Sequence, residues 1–199
     1  MTIKKEVLAG VASAAALVAT GSSASAADIQ PDDWSGFYVG LSTGFMSGDL
    51  PLHHYNHDYT LNSSAPVPGG FAGFNVETGN LVLGAELALQ LTTPAVITKN
   101  SDGYGLNNTF DAKAKIGYDL GKFMIYGFGG ATSQSVFGGR GTYSAYGVNF
   151  GAGLDVKVSE HVTIGAEFIR REMQGMNTKT RANQGFGENE FALRAAYHF

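Results

Sequence analysis

The side chains best suited to chemistry in this chain are imidazoles. Three of its five histidines fall in the run His53-His54-Tyr55-Asn56-His57-Asp58-Tyr59. His and Tyr can ligate haem iron, and clustered His can hold Zn²⁺ or Cu²⁺. No cysteine assists, because the chain contains none, and the spacing specifies no coordination geometry. His53, His54 and His57 are therefore candidate metal ligands in a polar loop, and a His-rich solvated loop accounts for the same run. No metal or cofactor is assigned. Gly40-Leu-Ser42-Thr-Gly44 matches G-x-S-x-G, which prepares a nucleophile only at a strand-to-helix elbow; here it lies inside a strand pattern. His161-Val-Thr163 near Glu167 is the nearest thing to a base beside a hydroxyl, and it offers no activated nucleophile. No catalytic residue is assigned, and the expectation is that the chain is not an enzyme.

A second chemical set is ionic. Glu86, Lys113, Lys115, Glu167 and Arg194 each occupy the polar phase of a segment that alternates apolar and polar residues. The final segment shows the pattern: Phe191, Leu193, Ala195, Tyr197 and Phe199 on one side, Ala192, Arg194, Ala196 and His198 on the other. That is a β-strand with one apolar face. An open, greasy terminal strand is an aggregation hazard in water; in a membrane it can close a barrel.

The elements that position these groups follow in order. Trp34 to Phe45 reads as a first strand, with Phe37, Val39, Leu41 and Phe45 opposite Gly40, Ser42 and Gly44. Further strands are expected at about 70–77, 81–91, 110–119, 123–131, 146–157, 162–169 and 188–199. The strand at 123–131 carries large residues in both phases, and Met124, Tyr126 and Phe128 are taken as its outward set. Long polar loops at 48–66, 92–107, 132–142 and 174–187 alternate with short turns such as Thr78-Gly79-Asn80 and Asp119-Leu-Gly-Lys122. The expected fold is all-β: an eight-stranded antiparallel transmembrane β-barrel, wound as an up-and-down meander with short periplasmic turns and long external loops. About ten residues at ~3.3 Å each, tilted by ~40°, cover the roughly 25 Å apolar band.

Composition agrees. The 28 glycines in 199 residues are twice the ordinary share of ~7%. Aromatics gather at the expected strand ends: Trp34, Phe37, Tyr118, Phe123, Tyr197 and Phe199 near one rim, Phe45, Phe110 and Tyr143 near the other. Such girdles sit at bilayer interfaces. Lys4 and Lys5, an apolar run from Val7 to Ala19, and Ala24-x-Ala26 form a secretory signal peptide over residues 1–26. Residues 27–36 are then a periplasmic lead-in and 37–199 the barrel. Losing Lys4, Lys5 and Glu6 with the leader takes the formal charge from −4 to −5, which argues against nucleic acid as a partner. A soluble barrel would turn the same faces the other way, with its apolar side inward. An eight-stranded barrel is only wide enough to be filled by side chains. Glu86 and Glu167 are therefore expected to meet Arg194, Lys113 and Lys115 inside it as an ionic plug.

Trp34-Ser-Gly-Phe-Tyr-Val-Gly40, shortly after a signal peptide, resembles the opening of the Omp25/Omp31-like outer membrane proteins of alphaproteobacteria. That family belongs to the wider OmpA-like eight-stranded β-barrel superfamily. Ala196-Tyr-His-Phe199 is similar to the aromatic C-terminal signal that the barrel-assembly machinery reads there. The resemblance implies a monomer in the cell outer membrane, partnered by its lipids and lipopolysaccharide, that maintains the envelope and presents surface loops as an antigen. It also implies an alternative, haem, metal or host-ligand binding through the first external loop. A lipid A-modifying enzyme or a narrow pore ranks behind both.

Overall fold

The computed structural model describes residues 33–50, 59–62, 66–91, 105–138, 141–176 and 183–199. The signal peptide, most of the lead-in, and His53, His54 and His57 lie outside the described residues. The described residues form nine strands: β1 (Gly36–Leu50), β2 (Tyr59–Asn62), β3 (Val67–Thr78), β4 (Leu81–Gln90), β5 (Gly105–Asp119), β6 (Phe123–Gly138), β7 (Gly141–Lys157), β8 (Val162–Met176) and β9 (Asn183–His198). Each of β3 to β8 pairs antiparallel with the next, β1 pairs with β3, and β1 pairs with β9. Eight strands thus close a barrel in meander order. The four-residue β2 is a flap on the long-loop end of β1, where Leu50 faces Tyr59.

The closing seam is long. It runs from Tyr38 opposite His198 to Asp49 opposite Gly187, and the Phe199 N–H donates to the Phe37 carbonyl at 3.0 Å. Two connections turn tightly on glycines in the left-handed region, Gly79 (φ 62°) and Gly121 (φ 81°), where a side chain would be strained.

The direction of the apolar face decides between a membrane barrel and a soluble one. Leu83, Phe150 and Leu193 are 51%, 48% and 55% exposed, whereas Glu86 and Arg194 are 2% and 7% exposed. The greasy side faces outward and the charges are sealed inside, the reverse of a soluble barrel. No helix among the described residues is long and apolar enough to cross a membrane; the strands make the crossing.

Three expectations need correction. First, strands run further at the long-loop end than the apolar alternation suggests: β5 begins at Gly105, β6 continues to Gly138, β8 to Met176, and β9 begins at Asn183. Beyond the apolar band the outward face also carries polar residues, such as Ser133, Arg170 and Glu172, so the hydrophobic period fades while backbone pairing continues. Second, the phase of β6 is opposite to that expected. Met124, Tyr126 and Phe128 are buried inside, and Phe123 and Ile125 face out. Tyr126 lies opposite Gly117 and Gly153, and Phe128 opposite Gly151. A Cβ at Gly153 or Gly151 would collide with those rings, so the neighbouring glycines make the room. Third, Trp34 is not an interfacial residue: it is fully buried because its indole turns in across the short-turn end. Phe37, Tyr118, Phe123, Tyr197 and Phe199 are about half exposed, as are Phe45 and Phe110 towards the other end. The Tyr143 side chain is outside those described.

Placing arginine at Leu87, 54% exposed on the outer wall, is expected to cost roughly 2–4 kcal/mol in a bilayer. Urea unfolding of Leu87→Arg in phospholipid vesicles measures this, and an unchanged midpoint would contradict the outward assignment.

Candidate functional site: the charged interior

Strand alternation delivers one inward side chain from every second position, and the register brings charges of opposite sign to the same level. Glu86 on β4 is opposite Lys113 on β5. Glu167 on β8 is opposite Gly153 and Ala192, so it is flanked by little bulk and reaches into the middle. Arg194 on β9 lies opposite Ser42 and Gly165, again with room to extend.

These groups form a central cluster. Arg194 places Nη2 2.5 Å from Glu86 Oε2 and Nη1 2.5 Å from Glu167 Oε2. Lys113 Nζ is 3.3 Å from Glu86 Oε1 and also pairs with Glu167. Lys115 Nζ is 3.4 Å from Glu86 Oε2. Asp155 Oδ1 stands 3.6 Å from Arg194 Nε, beyond hydrogen-bond reach. Three cations therefore face three carboxylates. Tyr38 donates its hydroxyl to Glu86 Oε2 and Tyr126 to Glu167 Oε2, each at 3.0 Å. Aromatic faces complete the cations' surroundings: Lys115 Nζ lies 4.2 Å from the Tyr126 ring centroid, Lys113 Nζ 4.6 Å from Phe128, and the Arg194 guanidinium 4.0 Å from Phe71. Desolvated cations gain most from such contacts.

An outer cluster sits nearer the long-loop end. Arg171 is fully buried and spends its donors on Asp111 Oδ2 (2.6 Å), Glu188 Oε1 (2.7 Å), Glu190 Oε2 (2.7 Å) and Gln90 Oε1 (3.1 Å). Amides supply more donors: Gln90 to Glu190 at 2.6 Å, Asn149 to Asp111 at 3.0 Å, Gln134 to Glu188 at 3.4 Å. One guanidinium thus gathers three carboxylates. The planar, five-donor fork of arginine suits that task as lysine would not.

Arg171, Glu188, Glu190 and Tyr38 carry this interior without having been singled out in the sequence. The signal was present. Glu167-x-Ile169-x-Arg171 and Glu188-x-Glu190-x-Ala192-x-Arg194 hold the inward phase without a break, but polar neighbours hide it from an apolar-period reading.

The arrangement fills the interior and ties strands together: Glu86, Glu167, Asp111, Glu188 and Glu190 are held by cations and amides, and His161 is exposed at a turn. Among the described residues no group of three or more His, Cys, Asp or Glu could hold a metal ion. A hollow of about 630 Å³ lies on the apolar outer wall, between Ile116, Phe150 and Phe168 over Gly127 and Gly129.

Residues 13–199 match the family model described as the outer membrane protein beta-barrel domain. A 22 kDa outer membrane protein of Rhizobium leguminosarum bv. viciae is 26% identical over 176 residues, covering 83% of this chain and 78% of that protein. The crystal structure of Neisserial surface protein A superposes with a TM-score of 0.57 at 14% identity, covering 83% of this chain and 98% of that one. Ail, the attachment invasion locus protein of Yersinia pestis, superposes with a TM-score of 0.52 at 14% identity, covering 83% and 99%. These likenesses are to the fold.

Replacing either buried arginine strands its carboxylates. Arg171→Met and Arg194→Met are each expected to destabilise the barrel by about 3–5 kcal/mol. Because these pairs are shielded from solvent, the loss should be nearly the same in low and high salt. Equilibrium unfolding in both conditions tests this: a loss that vanishes in high salt would mean solvent-exposed pairs.

Proposed function

Since this chain belongs to the outer membrane protein β-barrel domain family and is an outer membrane protein, we propose that its task is structural. It is a stiff, closed barrel that contributes to the integrity of the envelope and presents its long loops at the cell surface. The observation that carries this reading is the filled interior. Glu86, Lys113, Lys115, Glu167 and Arg194 meet at the middle, Arg171 and its carboxylates meet above them, and most of these side chains are buried. A wall built this way resists deformation, because opening it separates charges in a low-dielectric interior. The same packing favours a barrel without steady conductance and without catalysis.

The partners in this reading are the outer-membrane lipids, including lipopolysaccharide, against the exposed apolar band. The barrel-assembly machinery takes hold of the C-terminal strand ending in Phe199. Export relies on the signal peptide at 1–26. The barrel works as a monomer, its short turns towards the periplasm and its long loops outside.

Single-channel recording in planar bilayers tests the proposal. The expected trace is quiet, and a large, steady conductance from a monomer would overturn it. In parallel, the protein taken from outer membranes should migrate differently on electrophoresis before and after boiling.

A further inference from the structure

The Trp34-Ser35-Gly36 motif has no part in the charged interior, yet each of its residues has a distinct physical place. We propose that these residues form a strap that seals the short-turn end of the barrel interior against water, with the Trp34 indole as its stopper.

Gly36 makes the bend. Its φ is +121°, and the Phe199 carbonyl oxygen stands 3.2 Å from where a Cβ would be. A residue with a side chain would be strained there. Ser35 and the Trp34 backbone then clasp the end of β3. The Glu77 N–H donates to Ser35 Oγ at 2.9 Å, and the Trp34 N–H donates to Glu77 Oε2 at 2.7 Å. From that anchor the indole crosses the opening. Its Nε1–H donates to Asp119 Oδ1 at 2.9 Å and reaches the Gly121 carbonyl at 3.3 Å, both at the turn between β5 and β6. Asp119 Oδ1 is itself fixed by the Gly121 N–H at 2.7 Å.

Other strand ends close on the ring. Lys157, ending β7, holds Nζ 4.5 Å from its centroid. His198, ending β9, meets it edge-on at 6.1 Å. Inward of the ring lies an apolar layer that includes Val82 and Met124, in one buried cluster with Trp34. An interfacial tryptophan exposes its flank to lipid and its N–H to headgroups. This one is fully buried and gives its N–H to a carboxylate inside the wall. The seal has an electrostatic use. Water reaching Lys115 and Asp155 from this end would raise the local dielectric and weaken the central ion pairs.

The test needs a single thiol, which the chain allows because it has no cysteine. Val82, 2% exposed, is the probe site. Val82→Cys refolded in detergent micelles is treated with a small water-soluble maleimide, with Ser159→Cys in an exposed turn as the accessible reference. Adding Trp34→Ala is expected to speed alkylation of the Val82→Cys thiol about tenfold while the boiled and unboiled samples still migrate differently. Should Trp34→Ala not fold, Asp119→Ala keeps the ring and removes its carboxylate acceptor, leaving only the longer contact to the Gly121 carbonyl. That variant should also speed alkylation and make the sole tryptophan more easily quenched by acrylamide. Folded protein alkylated no faster with either substitution than with Val82→Cys alone overturns the strap. A quiet bilayer recording beside alkylation that neither substitution speeds would sink the strap alone, so the failure of this idea, which rests on the filled interior, is distinguishable from the failure of that reading.

Discussion

Charge inside a narrow barrel has nowhere to go but to other charge. That constraint governs the rest of this structure. The wall faces hydrocarbon, so every apolar outward position is set by the solvent it meets. The polar half of each strand must then point inward, where too little space remains for bulk water. Glu86, with a side chain sealed from solvent, is tolerable only because Arg194, Lys113 and Lys115 stand around it. Breaking one such contact leaves an uncompensated charge. The interior is therefore fixed as a set, and the set fixes the register of the strands that bear it. Shifting β9 by one residue would drive Arg194 into lipid and Leu193 into the cluster.

Volume is the second condition, and glycine meets it. Tyr126 and Phe128 fit inside because Gly153 and Gly151 lie beside them. Tyr38 fits because Gly73 is opposite it on β3. These rings are not filler. Tyr38 and Tyr126 donate to the two central glutamates, and the ring faces cover the cations. The high glycine content thus belongs to the same solution as the buried charge: small residues on one strand make space for an aromatic on the next, and the aromatic supports an ion pair.

The sequence shows the wall more clearly than what the wall contains. Alternation is a property of one strand, so the outward faces of β1, β3, β4, β5, β7, the first half of β8, and β9 are legible one at a time. The phase of β6 is not, because Phe123, Met124, Ile125 and Tyr126 are all large; only the neighbours' glycines settle it, and they act across the sheet. The central five charges could be gathered because each sits within a clearly alternating segment. Arg171, Glu188 and Glu190 lie where the outward residues are Arg170, Glu172 and Asn189, and an apolar period has nothing to hold there. Trp34 fails for another reason. Its type and position near a strand end fit an interfacial girdle, and its burial depends on a backbone bend at Gly36 that no periodicity encodes.

The two clusters differ in a way that bears on where the barrel can tolerate change. The central one balances three cations against three carboxylates, and most of its contacts join strands far apart in sequence, as Arg194 joins Glu86 across 108 residues. The outer one hangs on a single guanidinium among the described residues, with amides sharing the load. Below both, the strap around Trp34 ties the short-turn ends to each other. These contacts run from the Arg171 cluster through the central one to the short-turn end, and they join strands, short turns and the strap, not long loops. Loops attached to such a body can change length and composition at little cost to the fold, which is the physical condition that a surface-presenting role requires.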